Sequence, residues 1–233
     1  MRKSISVAMA TYNGEKYIKE QIDSILLNMN ENDELVISDD GSTDQTKAII
    51  QKYHDKRIHL IDGPHNGLKQ NFANALSHTR NEIIFLSDQD DVWMKDKVNK
   101  VLKAMEEENA TCVVHDALIV DKDLISKGQT FFEFRNSGSG IIKNIIRNTY
   151  IGCCMAFKRE CLEKVLPIPN TLEMHDQWIG VLNDKYGKSY FLNQPLIMYR
   201  RHGNNESKMT HHGILKMIRN RIVFIWNYFI RTK

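Results

Sequence analysis

Three carboxylates stand within four residues, at Asp88, Asp90 and Asp91, directly after the apolar run 83–86. The run is continuous rather than alternating, which is typical of a strand buried on both faces. In an open α/β sheet, ligands bind at the carboxyl ends of such strands. Because acids this close repel one another, the cluster predicts a bound cation. Hard divalent cations prefer carboxylate oxygens and keep positions open for substrate phosphates, so the pattern indicates metal-assisted phosphate-ester chemistry.

Polar clusters also follow two earlier strand-like runs. These clusters are Thr11-Tyr12-Asn13 and Asp39-Asp40. Any one of them alone is an ordinary set of turn residues. Adjacent parallel strands would bring all three clusters to one edge of a sheet, which favours a nucleotide site. Neither GxGxxG nor GxxxxGKS is present, which argues against a dinucleotide oxidoreductase or a P-loop ATPase.

Other polar residues are candidates for the same site. Without a glycine-rich loop, the charge of a diphosphate would be met by the metal and by a basic group such as Lys69. Asp176 stands beside a histidine at the predicted start of a helix, and Trp178 can form the wall of a sugar pocket. His202 lies in a Gly/Asn loop and becomes a metal ligand only if that loop folds back on the acids.

The elements that must position these residues follow a regular order in the first 110 residues. Periodicity predicts strands at 4–10, 35–38, 58–61 and 82–86, and helices at 15–28, 45–53, 68–78 and 95–108. Four strand–helix units are the pattern of a parallel sheet with right-handed crossovers.

The second half is less regular. It predicts strands at 112–120, 151–157 and 196–199 and a helix at 175–186. Aromatic residues beside a Gly/Ser run make 121–140 either a mobile segment that closes over something or a disordered connection.

Composition limits the class of protein. The chain has 233 residues, 42% of them hydrophobic, and a net charge of +3, which suits one large α/β domain and does not predict nucleic-acid binding. Its four cysteines form no CxxC pair, so we expect reduced thiols. No signal-peptide pattern and no apolar run of about 20 residues is seen. We therefore expect a cytoplasmic protein.

The C-terminal part differs from the rest, because residues 197–233 carry eight basic side chains and one acid. Residues 209–230 are apolar, aromatic and basic, and can form a helix lying on an anionic membrane surface at the inner face of the cell membrane. The alternative is a helix that packs onto its own domain or onto the partner in a homodimer.

Taken in order, three motifs resemble those of the family 2 glycosyltransferases with the GT-A fold. They are residues 6–14 (SVAMATYNG), 38–44 (SDDGSTD) and 86–91 (LSDQDD). Residues 175–178 (HDQW) and 199–205 (YRRHGNN) are similar to the bacterial polysaccharide branch, which includes many rhamnosyltransferases. The resemblance implies a Rossmann-like, mainly parallel sheet flanked by helices, with a GT-A domain at 1–205, in nucleotide-binding (1–110) and acceptor (111–205) halves, and a C-terminal amphipathic helix at 206–233.

The resemblance also implies roles for the residues singled out above. It implies inverting sugar transfer from a nucleotide-diphosphate donor to a saccharide or lipid-linked acceptor, with Mn²⁺ or Mg²⁺ as cofactor. Asp176 matches the catalytic base, and Asp90 is the expected metal ligand, with Asp88 at the ribose or metal. The residues expected around the donor are Thr11, Tyr12, Asn13, Asp39, Asp40, Lys69, Asp91 and Trp93. His202 falls where a further metal or diphosphate contact is expected, and no QxxRW motif follows, so we expect a single-addition enzyme.

Two other functions are open. A sugar-nucleotide pyrophosphorylase normally has a glycine-rich loop with Arg and Lys after its first strand, where this chain has Thr11-Tyr12-Asn13-Gly14. An inactive nucleotide-sugar-binding or scaffolding protein is the non-enzymatic alternative, against which the presence of Asp90, Asp176 and His202 counts.

Overall fold

A mixed nine-stranded sheet is the centre of the fold in the computed structural model, which describes residues 2–203 and 213–233. The strands are β1 (Ile5–Thr11), β2 (Glu34–Asp39), β3 (Ile58–Asp62), β4 (Ile83–Ser87), β5 (Val92–Trp93), β6 (Cys112–Val120), β7 (Ser126–Thr130), β8 (Met155–Lys158) and β9 (Ser189–Arg200). Their order is β3-β2-β1-β4-β8-β6-β9-β5, with β7 paired to β6. The helices are α1 (Ile18–Leu26), α2 (Thr46–Gln51), α3 (Leu68–Ser77), α4 (Lys97–Glu107), α5 (Phe131–Arg135), α6 (Ile141–Ile146), α7 (Leu162–Val165), α8 (His175–Tyr186) and α9 (Ile214–Thr232).

The first half of the sheet is the parallel unit that the sequence predicts. β1 pairs in parallel with β2 and β4, and β2 pairs in parallel with β3. Every residue of β1, β2 and β4 is buried, which is why these runs are apolar without alternation. Thr11 lies opposite Asp39, and Met9 lies opposite Ser87, so the polar clusters after these strands meet at one edge.

The second half continues the same sheet with mixed directions. β8 runs antiparallel between β4 and β6, and so joins the two halves. β6 pairs in parallel with β9 over most of its length, with register shifts between His115 and Leu118. The predicted strand at 196–199 is only the end of β9, and the antiparallel strand β5 was not predicted. The chain therefore returns to the sheet as β5 directly after the acids at 88–91.

Between 121 and 140, the expectation of a mobile or disordered segment is wrong for residues 126–135, which form β7 and α5. Thr130 caps α5 in a capping box with Glu133. Phe131 is buried and its ring meets Tyr199 edge-on at 6.0 Å between centroids. The aromatic residues that suggested a lid are therefore anchors for a short helix.

Helix α9 packs on the domain through Phe224, which is 2% exposed and meets the ring of Trp178 at 5.9 Å. Residues 209–212 of the predicted helix, and Asn204 and Asn205 of the motif before it, lie outside the described residues. Across the part of the chain that the structure describes, none of the helices has the length and apolar character needed to cross a bilayer.

Candidate functional site

The ends of β1 and β4 are fastened together by the side chain of Gln89. Its Oε1 accepts hydrogen bonds from the Thr11 hydroxyl and from the Tyr12 backbone N–H (3.0 Å), and its Nε2 donates to the Tyr12 carbonyl (3.0 Å). A Cβ at Gly14 would lie 2.3 Å from Gln89 Oε1, so the loop approaches this amide as closely as a glycine allows. From the sequence, Gln89 was only the residue between two acids, with no predicted role.

Asp39 and Asp40 shape the loops at the neighbouring strand end. Asp39 is fully buried and its Oδ1 accepts from the backbone N–H of Ser42 (2.9 Å). Asp40 Oδ2 accepts from the N–H of Gly67 at the start of α3 (2.8 Å). Asn13, at a φ of 48°, donates its backbone N–H to Ser42 Oγ (2.9 Å). The predicted nucleoside residues therefore form one bonded edge, as the parallel register requires.

Lys69 is placed differently from the expectation that it meets diphosphate charge. Its Nζ donates to the carbonyls of Asn170 (2.8 Å) and Leu172, which fastens α3 to the segment before α8. Burial lowers the pKa of this ammonium. These contacts support a structural role for Lys69.

The acids after β4 repel one another as the sequence indicates. Burial, then the charges of Asp90 and Asp176, raise the pKa of Asp88 to about 7. Asp91 is 1% exposed, and burial raises the pKa of its carboxyl well above the usual range. Asp91 Oδ1 accepts from the Arg200 backbone N–H (3.0 Å), but its Oδ2 has no hydrogen-bond partner among the described residues. The raised pKa values mean that these carboxyls keep their protons more readily than exposed ones, so full ionisation of the cluster requires a positive charge such as a cation beside it.

His202 does return to the acids, because the end of β9 lies beside β5. Its Nε2 is 2.8 Å from Asp90 Oδ2, and its ring stacks on Tyr17 at 4.8 Å. Arg200, two residues earlier, donates from Nε to the Asp90 carbonyl (2.7 Å). His202 was a ligand candidate only if its loop folded back on the acids, and the structure shows that it does.

The donor set suits a hard divalent cation. Asp88 and Asp90 offer carboxylate oxygens, and His202 offers an imidazole nitrogen in direct contact with Asp90. One potential ligand atom each from Asp88, Asp91 and Cys153 also lie within 4.8 Å of one another. A thiol is a softer ligand, and burial raises the pKa of Cys153 well above its ordinary value, so the carboxylates and the His202 imidazole suit a hard ion better than Cys153 does.

Beneath the acids lies a buried lysine that the sequence did not single out. Lys97 Nζ donates to the Cys153 carbonyl (3.0 Å) and sits 3.8 Å from the centre of the Trp93 ring. Burial lowers its pKa to about 8, while Asp91 and Asp88 act in the opposite direction. Trp93 is 4% exposed, so it belongs to the floor of the site and does not line the sugar pocket as expected. The one sequence feature that could have indicated this contact is the spacing, since Lys97 follows Trp93 by four residues.

Asp176 occupies the first turn of α8, where the sequence placed it. Its Oδ1 accepts from Asn148 Nδ2 (3.1 Å) and from the Gln177 N–H (2.6 Å). Burial raises its pKa to about 6, and these hydrogen bonds oppose the shift. A Cβ at Gly152 would lie 3.6 Å from Asp176 Cβ, and the next residue, Cys153, has its sulfur within 4.8 Å of ligand oxygens of Asp88 and Asp91, so Asp176 lies beside the acid cluster.

The two aromatic neighbours of Asp176 are structural. Trp178 is fully buried and donates from Nε1 to the Val165 carbonyl (2.9 Å), so it does not wall a sugar pocket. His175 is buried and stacked on Phe72 at 4.1 Å, and burial lowers its pKa to about 3. An enclosed imidazole with so low a pKa is a weak base, so His175 is the less suitable of these two adjacent side chains to accept a proton.

Solved structures share this architecture. The S. aureus TarS fragment 1-349 in complex with UDP-GlcNAc superposes with a TM-score of 0.75 at 18% identity, over 97% of this chain and 67% of that one. The mannosyltransferase PcManGT from Pyrobaculum calidifontis, in complex with GDP-Man and Mn²⁺, gives 0.61 at 20% identity, over 84% of this chain and 55% of that one. At these identities the likeness shows a common GT-A fold.

Sequence comparison shows the family. The chain is 28% identical over 220 residues to the dTDP-rhamnosyl transferase RfbG of Shigella flexneri, which covers 85% of this chain and 73% of that protein. The profile of Glycosyl transferase family 2 matches residues 6–166, which include all three polar strand ends, the acid cluster among them. The protein is therefore a glycosyltransferase that belongs to glycosyl transferase family 2.

Proposed function

We propose that the protein transfers a sugar, with inversion, from a nucleotide-diphosphate sugar such as dTDP-rhamnose or a UDP-sugar to a hydroxyl of a saccharide acceptor. The acceptor is lipid-linked, and the reaction serves bacterial surface polysaccharide synthesis at the inner face of the membrane. The observation that carries this proposal is the acid cluster after β4: His202 contacts Asp90, one ligand atom each of Asp88 and Asp91 lie within 4.8 Å of each other, and the charge of Asp176 acts on Asp88.

The donor side is supported by the three strand ends. Gln89 holds Thr11 and Tyr12 against the acid loop, and Asp39 and Asp40 fix the loops where the nucleoside would lie. A divalent cation held by Asp88, Asp90 and His202 would stabilise the negative charge of the departing nucleoside diphosphate. The names of RfbG and of the two solved structures specify dTDP, UDP and GDP sugars, and PcManGT was solved with Mn²⁺, which supports this class of donor and cation.

The acceptor side is supported by Asp176. A hydroxyl that attacks the anomeric carbon must lose its proton, and a carboxylate in hydrogen-bond reach can take it. Asn148 Nδ2 and the Gln177 N–H donate to Oδ1 of Asp176, which holds this carboxylate in place at the start of α8. Its pKa of about 6 keeps it ionised near neutral pH, yet makes it a stronger base than an exposed aspartate.

The test is a transfer assay with a panel of nucleotide sugars, Mn²⁺ or Mg²⁺, and saccharide acceptors. Asp90→Asn and Asp176→Asn should each reduce transfer about 100-fold or more while far-UV circular dichroism stays unchanged. Asp96→Asn is the matched control, since Asp96 is an exposed carboxylate at a left-handed φ that asparagine tolerates, and it should keep full activity.

Near-normal transfer by the Asp176→Asn variant would refute its role as base. Donor binding without release of nucleoside diphosphate, for every donor and acceptor tried, would favour the alternative of an inactive nucleotide-sugar-binding protein.

A further inference from the structure

Helix α9 presents its apolar side chains away from the domain. Those that face outward recur every three or four residues, as on one helical face; they are Leu215, Ile218, Ile222, Trp226, Phe229 and Ile230. A helix on the surface of a globular protein normally turns this face to the core. We call these six residues the outer face of α9.

The opposite side of α9 attaches it to the domain through one buried ring and several polar contacts. Phe224 provides the ring. Arg221 donates to the Ile146 carbonyl (2.8 Å), Asn227 to Thr171 Oγ1 (3.0 Å) and Arg231 to the Pro167 carbonyl (3.0 Å). These contacts determine which side of α9 faces the domain. The six apolar side chains of the outer face therefore point to solvent.

The neighbouring helix α6 extends the outer face. Ile142 and Ile146 are exposed and stand one turn apart, and Arg221 joins α6 to α9. Two basic side chains of this stretch, Lys143 and Arg147, are also exposed. Together the two helices offer a broad apolar surface, larger than the single exposed residues that a soluble protein tolerates without a partner.

The charges around this surface indicate which kind of partner binds to it. Neither α6 nor α9 contains an acidic residue, and Arg219 is exposed beside the outer face. A second copy docked through the same face would set these basic side chains against their own equivalents. Anionic lipid headgroups would neutralise them, while the apolar side chains enter the acyl boundary and the tryptophan lies at the interface.

We propose that the outer face of α9, with α6, docks the protein on an anionic membrane surface. This docking deepens the proposed function, which sets the reaction at the inner face of the membrane and on which it rests in that respect, but it requires neither Asp176 nor the acid cluster. The position of the two helices also determines which side of the site faces the membrane. Asn148, which directly follows Arg147, bonds Asp176, and Phe224 packs on Trp178 two residues beyond that base. The membrane would thus lie on the acceptor side of the site.

The three tryptophans of the chain allow a direct test. Trp93 and Trp178 are buried, whereas Trp226 is 68% exposed. Mixing the full chain with vesicles containing phosphatidylglycerol should shift the fluorescence emission to the blue, as Trp226 leaves water. The variant Trp226→Phe should lose this shift and still float with the vesicles, because phenylalanine keeps the apolar contact.

A flotation assay measures the affinity. The double substitution Ile222→Ser with Phe229→Ser should weaken vesicle binding about tenfold or more, and Arg219→Glu with Lys143→Glu should weaken it as well. Leu27→Ser is the matched control: Leu27 is 88% exposed and lies at the end of α1, and its loss should leave binding unchanged. High salt, or vesicles of phosphatidylcholine alone, should also reduce binding.

Three results would overturn the proposal. The first is no flotation of the wild-type chain at low salt. The second is equal flotation of the Ile222/Phe229 variant. The third is a wild-type chain that is dimeric and binds no vesicles, with a variant that is monomeric. Because the double variant leaves Asp88, Asp90 and Asp176 intact, it should keep donor binding. Loss of flotation with donor binding retained therefore separates this proposal from the transfer reaction.

Discussion

At the scale of single residues, burial gives Asp176 the property that its proposed role requires. A carboxylate accepts a proton best when its pKa approaches the working pH, and burial raises that of Asp176 to about 6. Asn148 acts in the other direction, because its amide donates to the ionised form. The basicity of the site thus depends on a balance between these two effects.

This balance predicts a pH profile. Protonation of Asp176 removes the base, so the transfer rate should be level above about pH 7 and fall about tenfold per unit below about pH 6. Asn148→Ala removes a bond to the charged form, which raises the pKa of Asp176, so the acid limb should move to higher pH by about 0.5–1 unit. Initial rates at saturating donor measure both.

In that experiment Asn30→Ala, an exposed asparagine after α1, should leave the profile of the wild type unchanged. A rate that stays level down to about pH 5 would contradict the assignment of Asp176 as the base.

Gln89 carries a second prediction. Removing its amide in Gln89→Ala leaves the Tyr12 N–H and the Thr11 hydroxyl without their partner and frees the loop after β1. We expect the KM for the donor to rise about tenfold with a smaller change in kcat, since the acids and Asp176 stay in place. Gln51→Ala, at an exposed position in α2, is the control. An unchanged KM would show that this clamp does not organise the donor site.

Residue types alone could identify the acids, Asp176 and His202, because charge crowding and the motif order are visible in the sequence. They could not show which aromatic residues are buried. Trp93 and Trp178 look like pocket walls beside the acids, but both fill the core, since the helix and strand that carry them turn those side chains inward. The contacts of Lys69 depend on a loop 100 residues later, which no local pattern reveals.

At the scale of elements, sequence periodicity predicts best where strand and helix alternate locally. All four strand–helix units predicted for the first half are present, and their bounds differ from the predicted ones by at most three residues. Strands β5, β7 and most of β9 were missed, because short edge pairings depend on partners far along the chain. The unpredicted pairing of β5 with β9 brings His202 to Asp90, so the sequence named these two residues without the geometry that joins them.

The attachment of α9 gives a prediction at this scale. Phe224→Ala removes the buried ring that meets Trp178 and should lower the free energy of unfolding by about 3 kcal/mol. Phe229→Ala is the matched control on the outer face: that ring is 59% exposed, and its removal should change stability by less than about 0.5 kcal/mol. Urea denaturation compares them. Equal losses would mean that α9 is not held by the face described.

At the scale of the whole molecule, donor and metal should act together on stability. A ligand that binds only the native state at about 100 times its Kd adds about 2.7 kcal/mol, which for a chain of this size raises the Tm by roughly 5–10 °C. We expect this shift for the correct nucleotide sugar with Mn²⁺, and a much smaller one after chelation by EDTA. Thermal-shift measurements give the answer directly.

Asp90→Asn should remove the metal-dependent part of that shift, because it takes away one expected ligand and the partner of His202. A full shift in the presence of EDTA would count against a metal in the donor site.

The path of β9 has a consequence for how the active protein arises during synthesis. The bond from the Arg200 N–H to Asp91 joins residues 109 positions apart, and β9 also completes the sheet beside β6. Local strand–helix units form early, whereas pairings at such separation wait until both partners have left the ribosome. A nascent chain can therefore carry the folded parallel unit of β1–β4 with its acids exposed, and residues 189–202 place Arg200 and His202 against those acids only once they have been synthesised.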